Sequence, residues 1–202
     1  MHSSQAHDAG FKKALASMGS EKGFEYASVA GMRTDQAMRE ALTRAGAEFT
    51  NEDIQRLSRL KSETAHALIA AQPPIVPGCA RLISELRDRG YTLALASSSS
   101  RRNVDTFLSA TGTSSAFSVV LSGDDVRSAK PDPDIYLQAL ERLGASAAAA
   151  VVVEDAVAGV KAGVAAGARV IAVEGTAPAD GLLAAGAERV VRGLDSLLEH
   201  LP

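Results

Sequence analysis

Residues Ala149-Ala150-Val151-Val152-Val153-Glu154-Asp155-Ala156-Val157-Ala158-Gly159 set the terms for the rest of this chain. A short apolar run ends in two adjacent carboxylates, and a helix pattern rich in small residues follows at once. β-Branched residues in so short a run suit a strand buried on both faces. In open α/β sheets, ligands bind outside the carboxyl ends of the strands. Two acids at such an end are costly unless something positive meets them, and a hard metal cation fills that role.

The flanking sequence agrees with a sheet of this kind. After Pro73, helical and strand patterns alternate. The pattern predicts helices over 79–89, 102–110, 134–143, 156–166 and 194–201, and strands over 92–96, 117–121, 169–173 and 189–191. Such alternation predicts a parallel, doubly wound α/β sheet of Rossmann-like design. Before Pro73 no strand pattern is present. Helical spacing runs over 4–18, 34–45 and 50–71, with Thr34 or Asp35 near the second cap and a Thr50–Asp53 capping box opening the third. Gln72-Pro73-Pro74-Ile75-Val76-Pro77-Gly78 separates the two regimes, because three prolines and a glycine cannot continue a helix. The expected organisation is a helical domain over 1–72 and an α/β domain over 73–202.

Composition limits the function classes. The net charge of −3 argues against a general nucleic-acid binder. Cys79 is the single cysteine, so no internal disulfide framework is possible. No apolar run approaches the roughly 20 residues of a membrane span. The first residues lack the basic and apolar regions of a signal peptide, which predicts a cytoplasmic protein without a membrane partner.

Three polar clusters each follow a predicted strand: Ser97-Ser98, Lys130 and Glu154-Asp155. In a parallel sheet all three fall at one edge. Hydroxyls and loop amides at Ser97 and Ser98 suit phosphate oxygens. Lys130 adds a point charge for the same oxygens. Asp155, with Glu154 directly or through water, suits Mg²⁺. Singly, each has an ordinary reading as a turn, a solvated lysine or first-turn acids favoured by the helix dipole. Their order and spacing together describe a phosphoryl site.

The same stretches resemble the haloacid dehalogenase superfamily. Leu93-Ala94-Leu95-Ala96-Ser97-Ser98-Ser99 is similar to its second motif. Ser122-Gly123-Asp124-Asp125-Val126, with Lys130-Pro131-Asp132-Pro133-Asp134-Ile135-Tyr136, is similar to its third. Val151 to Ala156 with Gly159, Gly163 and Gly167 is similar to its fourth. The nearest subgroup is the β-phosphoglucomutase-like phosphatases, whose helical cap falls where residues before Pro73 lie. The resemblance implies that Ser97 and the Ser98 backbone bind the transferring phosphoryl group, that Lys130 bridges it to the nucleophile, and that Asp155 and Glu154 serve Mg²⁺. It implies Arg33 and Lys61 as substrate-binding cations of the cap, and a small phosphorylated metabolite, above all a sugar phosphate, as substrate. Ala129 stands where relatives carry glycine. Asp134 reads as a helix cap, and Asp124, Asp125 and Asp132 as loop residues. His2, His7 and Asp8 read as terminal or helix-surface residues rather than a metal site.

One family feature is absent from 1–202: a strand ending in Asp-x-Asp-Gly, whose first aspartate is the nucleophile. By resemblance that strand lies just upstream of Met1. It would be the centre of the sheet, between the strands that precede Ser97 and Asp155. The expected fold therefore lacks its central first strand, and self-association through the incomplete sheet follows as an expectation. The resemblance implies a Mg²⁺-dependent phosphatase acting through an aspartyl phosphate. Its rivals are a phosphosugar mutase of the β-phosphoglucomutase type and a catalytically inactive binding or partner protein.

Overall fold

The computed structural model describes residues 3–30 and 32–201. The chain divides into two compact units, Met1–Pro74 and Ile75–Pro202.

The first unit is helical. It contains α1 (Ser4–Ala16), α2 (Thr34–Arg44) and α3 (Asn51–Ala71). α3 opens on the expected capping box: Thr50 Oγ1 accepts the Asp53 N–H at 3.2 Å and Asp53 Oδ2 accepts the Thr50 N–H at 3.0 Å. α2 departs from expectation. Arg33 is its N-cap and makes no side-chain cap bond, because the hydroxyl of Thr34 is turned to Lys61 instead, at 3.4 Å. α1 lies directly on α3 at Gly10, where an added Cβ would stand 2.6 Å from the Lys61 carbonyl oxygen. Phe11, Leu15, Met38, Leu42, Ile54 and Leu57 form the unit's core.

The second unit is the α/β sheet. In chain order it contains α4 (Cys79–Asp88), β1 (Ala94–Ala96), α5 (Arg101–Thr111), β2 (Val119–Leu121), α6 (Asp134–Leu143), β3 (Val151–Glu154), α7 (Val157–Ala165), β4 (Arg169–Val173), α8 (Ala179–Ala184) and β5 (Arg189–Val191). Every pairing is parallel. Strand β4 displays the two faces by alternation. Val170 and Ala172 pack with Val160 and Leu182 of α7 and α8, while Ile171 packs with Leu82 of α4 and with Leu197. Helices thus cover both faces, the doubly wound arrangement read from the sequence.

Three details differ from the sequence reading. The closing segment Leu194–Glu199 is a 3₁₀-helix rather than an α-helix. The six-residue α8 carries too little periodicity to be read from Ala-Asp-Gly-Leu-Leu-Ala. β1 and β2 are three residues each, shorter than their apolar runs, although Leu93 still accepts the Ser118 N–H at 2.9 Å.

The strands form two sets, β1-β2 and β3-β4-β5. Among the described residues no ladder joins β1 to β3. The two sets share an apolar layer in which Ala94, Ala96 and Val152 meet Ile135, Tyr136 and Ala139 of α6 and Ala162 of α7. Val153, on the opposite side of β3 from Val152, is 41% exposed. No helix among the described residues is long and apolar enough to cross a membrane.

Candidate functional site

The carboxyl ends of the strands converge on one side chain. Lys130, in the loop after β2, reaches the carbonyl oxygen of Ala96 at the end of β1 (3.2 Å) and Glu154 Oε1 at the end of β3 (2.5 Å). Its side chain is 7% exposed and that of Glu154 10%. The Ala96 carbonyl belongs to the peptide that leads into Ser97. The lysine therefore stands one peptide from the serine loop and beside the acidic pair, so the structure brings all three sequence clusters to one edge.

A third group, which sequence reasoning did not single out, completes the contact. The Tyr136 hydroxyl accepts from Lys130 at 2.9 Å and donates to Glu154 Oε1 at 2.7 Å. The ammonium also lies 4.6 Å from the Tyr136 ring centroid. Tyr136 sits in the first turn of α6, six residues after Lys130 in Lys-Pro-Asp-Pro-Asp-Ile-Tyr. That fixed offset is the signal that could have found it. Burial pushes the Tyr136 hydroxyl strongly up, and the neighbouring Glu154 carboxylate pushes it further, so it remains a donor at any ordinary pH.

Both oxygens of Glu154 are occupied by protein donors. Oε1 takes Lys130 and Tyr136, and Oε2 accepts the backbone N–H groups of Asp155 (3.0 Å) and Ala156 (3.3 Å). Burial alone would raise this carboxyl. The Lys130 charge and the hydrogen bonds outweigh it and hold Glu154 below the usual carboxylate range. Gly159, in the first turn of α7, makes room for the carboxylate: an added Cβ would overlap it. Gly163 serves helix–sheet packing, against Val170 and Val152.

Asp155 is held differently. Its Oδ2 accepts the Thr176 hydroxyl at 2.6 Å, and its carbonyl accepts the Ala177 N–H at 3.2 Å. Among the described hydrogen bonds its Oδ1 is uncommitted. Of the two acids, Asp155 is thus the one with an oxygen to offer a cation, whereas Glu154 serves Lys130. No group of three or more His, Cys, Asp or Glu able to hold a metal exists among the described residues. Thr176 lies in an exposed loop after β4 and had no motif to mark it.

The serine loop is fixed from behind. Ser97 donates its N–H to Leu121 O at 3.0 Å, and its Oγ accepts the Ser99 N–H at 3.1 Å. Gly123 donates to Ser99 O at 2.8 Å, and a Cβ there would stand 2.6 Å from the Ser98 carbonyl oxygen. Asp124 accepts the Arg101 N–H at 2.8 Å. Asp125 Oδ2 accepts from the Ser122 N–H and hydroxyl and from the Arg101 guanidinium at 2.6–2.7 Å. These acids are engaged in holding the loop. Asp134 is the first residue of α6 rather than its cap. It donates its N–H to Asp132 Oδ1 at 3.0 Å and accepts the Arg127 N–H at 3.2 Å.

In the helical unit, Arg33 is largely exposed and pairs with Asp35 at 3.4 Å. Lys61 is buried, 6% exposed, with its Nζ 3.1 Å from His7 Nδ1. His7 was expected on a helix surface; the close α1–α3 approach turns it inward onto Lys61. Asp8 pairs with Lys12 at 2.7 Å. His2 lies outside the described residues, as does Gly31.

Comparison with known proteins identifies the family. Residues 3–173 match the haloacid dehalogenase-like hydrolase family. The bifunctional riboflavin kinase/FMN phosphatase of Arabidopsis thaliana is 43% identical over 120 residues, covering 59% of this chain and 31% of that protein. Protein CbbY of Rhodobacter capsulatus is 39% identical over 122 residues, covering 58% of this chain and 54% of that protein. The chain thus spans about half, or less, of these relatives' lengths. The crystal structure of CbbY from Rhodobacter sphaeroides with xylulose-(1,5)bisphosphate superimposes with a TM-score of 0.82 at 29% identity, covering 96% of this chain and 89% of that one. A doubly wound core with its lysine, serine loop and acidic pair at one edge, matched over most of its length, makes this chain a member of the haloacid dehalogenase-like hydrolase family.

Proposed function

We propose that this chain provides the phosphate grip and metal-binding residues of a Mg²⁺-dependent phosphatase acting on small phosphorylated metabolites, sugar phosphates foremost. The observation that carries this reading is the position of Lys130. One buried ammonium joins the end of β1, which leads into the serine loop, to the end of β3, which carries Asp155.

In this reading the Ser97 hydroxyl and the Ser98 N–H donate to phosphoryl oxygens, and Lys130 neutralises charge on the same group. Such preorganised donors are the main source of rate in phosphoryl transfer. Asp155, steadied by Thr176, would hold Mg²⁺. The metal's contribution when bound is to neutralise phosphoryl charge. Tyr136 and Glu154 hold the lysine in place. By resemblance, Arg33 and Lys61 are the substrate-binding cations of the helical unit. By resemblance the reaction passes through an aspartyl phosphate, whose nucleophilic motif is not found within residues 1–202. The CbbY complex with a pentulose bisphosphate supports sugar phosphates as the substrate class.

The test pairs binding with turnover. Mn²⁺, used as a spectroscopic stand-in for Mg²⁺, should bind the chain and be lost in Asp155→Ala. With the aspartate-bearing strand supplied, phosphate release from a panel of sugar monophosphates should require Mg²⁺ and no bisphosphate activator. Unchanged metal binding in Asp155→Ala would overturn the metal assignment. Dependence on a bisphosphate would make the enzyme a mutase. Absence of turnover with every strand supplied would make it a binding protein.

A further inference from the structure

The serine loop keeps two donors in reserve. Ser97 gives its N–H to Leu121 O, and its Oγ accepts the Ser99 N–H, which leaves the hydroxyl proton to donate. The Ser98 N–H is uncommitted among the described hydrogen bonds. Donors of this kind act through their placement, because a preorganised group needs no rearrangement when charge develops. The loop's placement comes from the turn that follows β2. There the Gly123 N–H binds Ser99 O at 2.8 Å, and the absence of a Gly123 side chain lets Ser98 O come close.

One carboxylate oxygen shapes that turn. Asp125 Oδ2 accepts the Ser122 N–H at 2.7 Å and the Ser122 hydroxyl at 2.6 Å, and Ser122 is fully buried. Arg101 closes the ring from the far end of the serine loop. Its N–H binds Asp124 Oδ2 at 2.8 Å, and its guanidinium reaches Asp125 Oδ2 at 2.6 Å and Val120 O of β2 at 3.1 Å. An exposed ion pair alone contributes little. Here the two side chains are 38% and 29% exposed, and a single oxygen gathers three donors from two loops. The arginine therefore ties loop to loop. We propose that Arg101 is a positioning residue of the phosphate grip, bolting the serine loop to the turn after β2 so that the Ser97 hydroxyl and the Ser98 N–H stand ready for phosphoryl oxygens. Its ligand comes from the phosphatase reading, on which this role rests.

A cation near an anion site also acts at a distance through its charge. The two effects part at Asp125. Removing that carboxylate makes the edge more positive, which tightens an anion held by charge alone. It also opens the clamp, which weakens an anion held by placed donors.

The test is binding of inorganic phosphate, with Mg²⁺ present, to the full chain, read from the Ser98 amide by NMR. The wild type should give a saturable shift. Arg101→Met and Asp125→Ala should each weaken binding about tenfold, the worth of one charge-assisted hydrogen bond, and Arg101→Lys should recover part of the loss. The Gly123 amide of the wild type should be protected from deuterium exchange and should exchange faster in Arg101→Met. Tighter phosphate binding in Asp125→Ala would show that charge alone acts, and overturns the proposal. Equal affinity in the wild type and both variants overturns it as well. An unprotected Gly123 amide in the wild type overturns it with no variant needed. Absence of a saturable shift at Ser98 in the wild type overturns the phosphatase reading, and this role with it.

Discussion

Gly159, in the first turn of α7, lies directly against the carboxylate of Glu154, which stands five residues earlier at the end of β3. The glycine's missing side chain is what allows a buried acid at the end of β3 to turn over the start of the next helix. There it accepts the N–H groups of Asp155 and Ala156 while reaching Lys130.

Gly159→Ala should therefore do more than change helix propensity. The new methyl group occupies the carboxylate's space, so Glu154 must leave Lys130 or α7 must lift. Overpacking of this kind costs about 1–3 kcal/mol, against the small gain alanine brings to a helix interior. Urea denaturation of the variant should show a lower midpoint with an unchanged slope. A midpoint equal to or above wild type would mean that the site yields.

Lys130 and Glu154 should be strongly coupled. Removing one partner of a buried ion pair leaves the other charge stranded, at a cost of about 3–5 kcal/mol. Lys130→Met and Glu154→Gln should each approach that loss. The double variant should be less destabilised than the sum of the two, since it strands nothing. Additive losses would show that the pair is not the unit of stability at this edge.

The helical unit should weaken in acid through His7. Its folded pKa, about 4, lies below the ordinary 6.5. Between these values the unfolded chain binds the proton and the folded one does not. The stability from this group is thus intact above about pH 6.5 and falls as pH drops toward 4, by up to about 3 kcal/mol. Lys61 stays protonated in both states through that window. The His7 ring proton should titrate near pH 4 by NMR, and His7→Asn should flatten this part of the acid limb. A midpoint above 6 would place the ring in water.

The sheet was legible because its signals are local. Valine runs, glycine stops and the Thr50–Asp53 box each act within a few residues, and the strands and most helices stand where those patterns put them. Lys130, Ser97 and Glu154 were legible as motifs, since a parallel sheet must carry the ends of its strands to one edge. Tyr136, Thr176 and His7 were harder to read. Each acquires its role from a contact across 6, 21 or 54 residues, respectively, and none of these spacings belongs to a secondary-structure period.

The division between β1 and β3 has a consequence for exchange with solvent. β3 is bonded along one side to β4, while its other side meets no ladder among the described residues. Amides of a strand point alternately to its two sides. Two rates should therefore interleave along Val151–Glu154, with amides facing β4 protected and those between them quick to take up deuterium. An inserted strand would slow the quick set alone. The apolar run that most constrains the fold thus carries its own record of whether the sheet is complete.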